Sequence, residues 1–351
     1  MTDLAGVDAT RTARAAAQML APPREPARPV DVVRHLIGVQ AQLPSAAALA
    51  IRARASGTTA ADVAAAQGSG ELIRTWLFRG TLHLVASDDL DWLLGLVRQT
   101  IIARTARRRS ELGLDDETVL RSSGVLSQAL DDGQPRSRTE LFDALESAGI
   151  DSSGQRGIHL IRHAALSGRV CFGPDRGHEP TWVAREPRSE RRTRTKALGE
   201  LARRYRAAYG PTDARDLAAW AGLPSVDARQ AWSTLGSAEV PRVPMRSAVR
   251  LLPHFDPYLL GYRTRELIVP SQYAHAVWTG GGYVMPTVVA DGQAVGTWEA
   301  VRRPGTMNIT VRPFGALADD MRSGIDTEVA DIGRFLGVQA AWTAGGAAIR
   351  V

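Results

Sequence analysis

Residues 153–183 read SGQRGIHLIRHAALSGRVCFGPDRGHEPTWV. The first half, 155–167, places apolar residues on one face of a helix, which a glycine then ends. The second half contains two short β-rich runs, 170–172 and 181–183, which flank a turn carrying Arg176. A helix followed by a basic-tipped hairpin is typical of a winged helix, although an αα-hairpin and ribbon that only pack also fit the pattern.

The polar face of this helix carries cations suited to a nucleic acid. Arg156 and His159 lie on that face, and we predict that both contact DNA together with Arg176 at the hairpin tip. His163 follows His159 at i,i+4 spacing, but the glutamate of an HExxH motif and a third ligand are missing. We therefore predict no metal site, and no cofactor, because phosphate-binding glycine motifs are also missing from the sequence.

The same outline recurs before and after this stretch. Several short helices, including 31–39, precede an alternating run at 75–86 that predicts a strand or hairpin. Downstream, an Arg-rich helix at 185–209 precedes two short helices at 213–221 and 226–235, which meet at a glycine-containing turn. The chain therefore contains three related segments in series.

From about residue 249 the chain changes character to short strands rich in Val, Ile and Thr, including 266–269, and then to a helix at 326–336. We predict an α+β protein, mainly α with β, that has three tandem winged-helix modules and a C-terminal small β-barrel. The predicted domains are 1–115 (first winged helix), 116–184 (second winged helix), 185–248 (Arg-rich helix and third winged helix) and 249–351 (β-barrel and terminal helix).

The charge of the chain favours a polyanionic partner. The formal net charge is +6 with a pI of about 10.0, and Lys196 is the single lysine, so nearly all cations are arginine. Arginine grips phosphate bidentately. We predict that Arg191, Arg192 and Arg194 of the Arg-rich helix bind DNA, the alternative being a face that is only solvated.

The sequence argues against a secreted or membrane protein. No apolar run reaches the roughly 18 residues that a bilayer span needs. Cys171 is the single cysteine, which excludes an internal disulfide framework. The first residues do not resemble a signal peptide, so we expect a cytoplasmic, nucleoid-associated monomer that does not bind membranes.

A short polar motif, Gln40-Ala41-Gln42, is followed by Leu43-Pro44. The proline disfavours helical geometry at Leu43, so the preceding helix should end near Gln40. In an extended segment, residues i and i+2 point the same way, and the two amides can then converge on one water or sugar. The alternative is that both glutamines cap helix ends or face solvent.

Several of these stretches together resemble the AlkZ-like DNA glycosylases, a winged-helix family. The residues that carry the resemblance are GVQAQLPSAAALAIRAR at 38–54, TWLFRGTLHLV at 75–85, SGQRGIHLIRHAALSGRVCFGP at 153–174, LLPHFDPYLLGYRTR at 251–265 and ADGQAVGTW at 290–298. They cover most of the chain, and the set is far more specific than the Gln-apolar-Gln motif by itself.

The resemblance implies a fold and a chemistry. It implies a concave DNA cradle with Gln40 and Gln42 as the catalytic pair, and a DNA-contacting hairpin that we place at 278–289. A purine alkylated at N7 is already cationic, so its departure needs an oriented water and electrostatic stabilisation rather than a general acid. An open cradle would also avoid base flipping, which bulky adducts and crosslinks resist. We further expect Arg79, Thr81 and His83 to alternate on one strand face, with Arg79 and His83 lining the cradle or pairing structurally.

Two other functions remain open at this point. A non-catalytic winged-helix transcriptional regulator would use the same modules for sequence recognition, although such proteins generally match DNA half-sites by two-fold symmetry. An enzyme acting on a small molecule is the other, but the sequence contains no cofactor signature or nucleophile motif for it. The interpretation we favour is a monofunctional DNA glycosylase that acts on double-stranded DNA carrying alkylated purines.

Overall fold

The computed structural model describes residues 4–21, 23–177, 179–187, 192–237 and 248–345, and it has the mixed α+β architecture that the sequence predicts. Its first segment folds around a three-stranded sheet of order β1-β3-β2. The elements are α1 (Leu4–Ala17), α2 (Pro29–His35), β1 (Val39–Gln40), α3 (Pro44–Arg52), α4 (Ala60–Gly68), β2 (Leu72–Trp76), β3 (Leu82–Ala86) and α5 (Ser87–Arg104). From α2 to β3, their order is helix, strand, two helices and a hairpin.

The second segment repeats that order with its own three-stranded sheet, β4-β6-β5. Its elements are α6 (Ala106–Glu111), α7 (Asp116–Ala129), β4 (Arg136–Ser137), α8 (Arg138–Ser147), α9 (Arg156–Leu166), β5 (Val170–Phe172) and β6 (Thr181–Ala184). The predicted helix at 155–167 and the hairpin that follows are both present. Both segments thus have the element order of a winged helix.

The third segment consists of helices. These are α10 (Arg194–Tyr209), α11 (Ala214–Ala221) and α12 (Ser225–Ser233). The Arg-rich helix begins at Arg194 rather than at 185, because the Thr193 side chain caps it by accepting from the Lys196 N–H at 3.4 Å. Residues 192–237 contain no strand, and 238–247 lie outside the described residues, so the third winged helix and the domain boundaries stay predictions.

The C-terminal segment is built on a five-stranded sheet of order β11-β10-β9-β8-β7. Its elements are β7 (Val249–Leu252), α13 (Pro257–Leu260), α14 (Ala274–Val277), β8 (Thr287–Ala290), β9 (Gln293–Arg303), β10 (Thr306–Pro313), α15 (Asp319–Leu336) and β11 (Gln339–Ala344). The helix α15 connects β10 to β11, which pair in parallel, and it packs against both β7 and β11.

The predicted β-barrel is therefore confirmed only as a half-barrel. The edge strands β7 and β11 do not pair with each other in the described part of the chain, because α15 lies where the sheet would have to close. The strand predicted at 266–269 is wrong. Those residues form a turn, in which the N–H groups of Ile268 and Val269 donate to the Arg265 carbonyl instead of to a neighbouring strand.

Two buried arginines join the C-terminal segment to the first. Arg52 and Arg54, at the end of α3, are both inaccessible to solvent. The Arg54 guanidinium donates to both carboxylate oxygens of Asp256, at 2.8 and 2.9 Å, and Asp256 is equally buried. Arg52 binds Glu328 at 2.9 Å and Asp331 at 3.0 Å, both on α15. Since an isolated charge would be costly there, each pair requires both partners.

Asp256→Asn should lower the free energy of unfolding by about 3–5 kcal/mol, because it leaves the buried Arg54 charge without a carboxylate. Urea unfolding of wild type and variant measures this difference. Glu111→Ala is the matched control. Glu111 pairs with the exposed Arg107, so its removal should leave the free energy of unfolding nearly unchanged. An Asp256→Asn effect as small as the control's would mean that Arg54 does not depend on this carboxylate.

Candidate active site and nucleic-acid interface

The Gln40-Ala41-Gln42 motif follows a sharp helix end. The predicted helix to Gln40 is wrong, because α2 ends at His35. The Gly38 N–H donates to the Val33 carbonyl at 3.1 Å, which closes the helix in a Schellman-type end and places Ile37 in the left-handed region at φ 63°. Gly38 itself has φ 135°, which a residue without a Cβ adopts easily. The chain leaves this turn extended, as β1.

The backbone of the motif is fixed by β3 and β2. Gln40 lies opposite His83 in the antiparallel pairing of β1 with β3. The pairing continues past β1, since the Ala41 N–H donates to the Leu82 carbonyl at 2.7 Å. The buried Arg74 of β2 donates through Nε to the Ala41 carbonyl at 3.2 Å. The predicted extended backbone is therefore present, which places both glutamines on one side of the strand.

Each glutamine carbonyl oxygen has a donor of its own. Gln40 is 9% exposed, and its Oε1 accepts from Arg79 Nη2 at 3.0 Å. Gln42 is exposed, and its Oε1 accepts from the Leu82 N–H at 2.7 Å. The β2–β3 hairpin thus holds both amides, one by a side chain from its tip and one by its backbone.

Arg79 lies at the hairpin tip and not on a strand face. Residues Phe78–Gly80 form a 3-10 turn in which Arg79 has φ 56°, so the alternation predicted for Arg79, Thr81 and His83 is broken before β3 begins. The Phe78 ring packs on the Trp220 ring of α11, with centroids 4.4 Å apart, and Arg79 Nη1 donates to the Trp220 carbonyl. Burial lowers the pKa of Arg79 to about 10, which leaves it charged at neutral pH.

His83 lies next to the site, in the interior of the protein. Its side chain is buried, with its ring in edge contact with Phe78, and Nδ1 lies 3.1 Å from the Thr81 carbonyl. Burial, with a contribution from the Arg79 charge, lowers the pKa of His83 to about 3. The ring is therefore neutral at physiological pH, and Nδ1 carries the proton that the Thr81 carbonyl accepts. A group with this pKa cannot act as a general acid or base near pH 7.

Three further arginines surround the hairpin tip, and sequence reasoning missed them. Arg162 of α9 donates through Nη2 to the Gly80 carbonyl at 3.1 Å. The side chains of Arg104 and Arg79 both lie against Gly222. Arg265 is close enough to lower the pKa of Arg79 through its charge. We call Arg79, Arg104, Arg162 and Arg265 the tip cluster. The sequence contains no signal for this cluster, because its four arginines are far apart in the chain. Only folding brings their four segments together.

The predicted contacts of the second segment have protein partners of their own. Arg156 donates to the carbonyls of Asp151, at 2.9 Å, and Leu112. Arg176 lies exposed in the turn between β5 and β6, 3.3 Å from the Glu140 carboxylate. The pKa of the partly buried His159 is lowered by burial and by nearby arginines, which are Arg162, Arg108 and Arg109. The α6–α9 face is thus strongly cationic.

The arginines that were predicted to bind DNA from the Arg-rich helix lie in another part of the molecule. The Arg192 guanidinium lies over the Trp92 ring at 5.2 Å, and Arg194 pairs with Asp227 at 2.6 Å. Trp92 is twelve residues from Arg104 along α5, or about 18 Å at the rise of an α-helix. The structure therefore does not bring these arginines to the tip cluster. Arg191 lies outside the described residues.

The described residues contain neither a metal-binding cluster nor a membrane-spanning helix. They contain no group of three or more His, Cys, Asp or Glu side chains placed to hold a metal ion. None of the helices described is both long enough and apolar enough to cross a membrane.

Comparisons with known proteins show the family and the fold of this chain. A family model described as "DNA glycosylase AlkZ-like" matches residues 33–335. The "Interstrand DNA cross-link repair glycosylase" of Streptomyces sahachiroi is 27% identical over 363 residues, which cover 92% of this chain and 94% of that protein. The solved structure of the Streptomyces sahachiroi DNA glycosylase AlkZ has a TM-score of 0.76 at 24% identity, covering 96% of this chain and 99% of that one, and this likeness shows the fold.

These matches give no support to the regulator that the sequence left open. Because the family model spans most of the chain, the protein belongs to the AlkZ-like DNA glycosylase family.

Proposed function

We propose that this glycosylase hydrolyses the N-glycosidic bond of purines alkylated at N7 in double-stranded DNA, with Gln40 and Gln42 as its catalytic residues. The observation that carries the proposal is the site itself. Each amide oxygen accepts a hydrogen bond from the β2–β3 hairpin, and His83, which lies opposite Gln40, is neutral at pH 7. Such a site can orient and polarise, and none of the described residues that hold the two amides transfers a proton near pH 7.

The reaction does not require such a group. Alkylation at N7 gives the purine a positive charge, so the electron pair of the breaking C1′–N9 bond neutralises the base as it leaves. Water forms the new bond to C1′ and releases its proton to solvent. The protein must hold that water and stabilise the developing charges, which preorganised dipoles do well. The group that attacks C1′ in this reaction is water and not a lysine amine. The proposed enzyme is therefore monofunctional.

The surroundings of the glutamines favour a duplex bound by its backbone. Arg104, Arg162 and Arg265 of the tip cluster, together with the cationic α6–α9 face, offer guanidinium groups to successive phosphates. A site on a hairpin tip can meet a lesion that stays in the helix, so the proposal extends to bulky adducts and to the unhooking of interstrand crosslinks. One copy of the chain carries all of these groups, and we propose that it acts as a monomer on nucleoid DNA.

The segment 278–289 is our proposed second contact with DNA. Its tip, Gly280–Gly282, has positive φ at all three glycines, and Gly280 bridges to Tyr283, which is 43% exposed. An exposed aromatic ring on a glycine tip is suited to stacking or groove contact. At its base, the Arg265 guanidinium lies 4.6 Å from the Trp278 ring, which connects this segment to the tip cluster.

Gln40→Ala and Gln42→Ala should each slow base release by roughly 10²-fold, the usual effect of losing one preorganised polar group, while duplex affinity stays nearly unchanged. The measurement is the single-turnover rate on an N7-alkylguanine duplex, with abasic sites cleaved by alkali. Gln128→Ala, on the exposed face of α7, is the matched control. Rates within about threefold of wild type for both site variants would remove the catalytic role.

DNA affinity should fall steeply with salt, because each phosphate neutralised contributes about −0.9 to the slope of log K against log salt. The double variant Arg108→Gln/Arg109→Gln should therefore have a slope smaller in magnitude by up to about 1.8. Arg192→Gln/Arg194→Gln tests the Arg-rich helix in the same titration, and Arg303→Gln serves as control. An unchanged slope in the first variant would place the DNA away from the α6–α9 face.

The rate of base release should be flat between pH 6 and 8, because amides do not titrate there and the pKa of His83 is about 3.

The free energy of unfolding, in contrast, should depend on pH. Unfolded His83 takes up a proton near pH 6.5. The folded protein takes it up only near pH 3, so the contribution of His83 is complete above pH 6.5 and declines as the pH falls towards 3.

Single-turnover rates with saturating enzyme, and thermal unfolding midpoints at pH 5 and 7, measure these two effects. His83→Gln should lessen the loss of stability at pH 5 and leave the shape of the rate profile unchanged. A rate that drops on the acid side near pH 6.5, and does so only when His83 is present, would show that the histidine takes part in proton transfer.

A further inference from the structure

The two glutamines are held in different ways. Gln40 is almost buried and its oxygen is held by a side chain, whereas Gln42 is exposed and is held only by a backbone N–H. Gln42 can therefore rotate and present either end of its amide to a ligand. Gln40 cannot do so without losing its partner.

We propose that Arg79 is a positioning residue that fixes Gln40 as a hydrogen-bond donor to the departing purine. This inference rests on the proposed function and deepens it, because it assigns the two amides different tasks. Gln40 presents its NH₂ group to the base, and Gln42, which is free to turn its oxygen outward, holds the attacking water.

The orientation of Gln40 follows from the chemistry of its partner. A guanidinium group has five N–H donors and no acceptor. The atom 3.0 Å from Arg79 Nη2 must therefore be the amide oxygen, and Nε2 points away from Arg79. The reversed amide would place its NH₂ group against the guanidinium and leave donors without an acceptor, so the observed orientation is favoured.

Arg79 is itself held where it can impose this orientation. Its φ of 56° turns the side chain out of the strand register, and the Trp220 carbonyl accepts from Nη1 at the end of α11. A helix C-terminus attracts cations. Gly222 follows in the left-handed conformation, which favours glycine, and a Cβ there would lie 3.3 Å from the Arg79 Cα and crowd this approach.

Among the described residues, no carboxylate is one of the charges that set the pKa of Arg79. Its acceptors are neutral, namely Gln40 Oε1 and the Trp220 carbonyl. A cation at the amide oxygen polarises the amide and strengthens its N–H groups as donors. As the C1′–N9 bond breaks, electron density rises on the acceptor atoms of the purine. A donor of increased strength therefore stabilises the transition state more than the ground state.

A double-mutant cycle between Arg79 and Gln40 tests the proposal. We expect Arg79→Met and Gln40→Ala each to slow single-turnover base release by at least tenfold, with duplex Kd within about threefold of wild type. The double variant should be no slower than the slower single variant, because Arg79 acts through Gln40. Arg215→Met is the control, since Arg215 is exposed and pairs with Asp213. Additive losses, or a loss confined to Kd, would show that Arg79 acts on DNA directly and would overturn the proposal.

Gln40→Glu tests the donor without changing Arg79. The carboxylate keeps an oxygen for the guanidinium but loses the NH₂ group, so its rate should fall as far as that of Gln40→Ala. A rate within threefold of wild type would overturn the proposal even if Arg79→Met failed to fold. A different experimental result would contradict the proposed function itself. If wild-type protein releases no alkylated base, the glycosylase proposal falls, whereas active wild type with an insensitive Arg79 removes only this inference.

Discussion

The buried pairing of Arg52 and Arg54 with carboxylates of the C-terminal segment is the constraint on which the arrangement of the molecule depends. Both arginines lie at the end of α3, and α3 begins at Pro44, two residues after Gln42. The bidentate contact with Asp256 and the contacts with Glu328 and Asp331 anchor that helix from its far end. Since buried charges tolerate little displacement, the same contacts that join the segments also fix one flank of the glutamine motif.

The other flank is fixed by the β2–β3 hairpin. Its strands hold the Gln40-Ala41-Gln42 backbone through Leu82 and Arg74, and its tip packs on α11 through Phe78. The glutamines therefore lie where the first, second and third segments meet, because Arg162 of α9 also binds the tip. Under the proposed function, in which these side chains orient a water to a fraction of an ångström, such a position is an advantage.

Electrostatics at this junction is unusual in one respect. Many of the described arginines pair with carboxylates, but Arg79 donates to neutral oxygens and lies close to three other arginines. Placing like charges together costs stability, and a polyanion removes that cost when it binds. Burial and the Arg79 charge also lower the pKa of His83, so this histidine is neutral near pH 7 and adds no charge of its own to the junction.

The sequence correctly predicted the features that depend on local chemistry. Pro44 after Leu43 predicts an extended backbone at the two glutamines, and glycine-bounded β-rich runs predict both hairpins. The predictions that failed include the end of one helix and the closure of the C-terminal sheet. The α2 helix ends at His35 because Ile37 adopts a left-handed conformation, and the C-terminal sheet stays open because α15 packs against both of its edges.

The sequence by itself thus determined which residues could form the site, and it placed Gln40 and Gln42 on one side of a strand. Only the tertiary structure decided what those residues face. The arginine at position 79 reaches Gln40 because the hairpin tip is a 3-10 turn packed on α11, and Arg104, Arg162 and Arg265 join it from three other segments. Periodicity describes a residue's neighbours within one helix or strand, whereas hydrogen bonding and desolvation depend on partners that are distant in the chain.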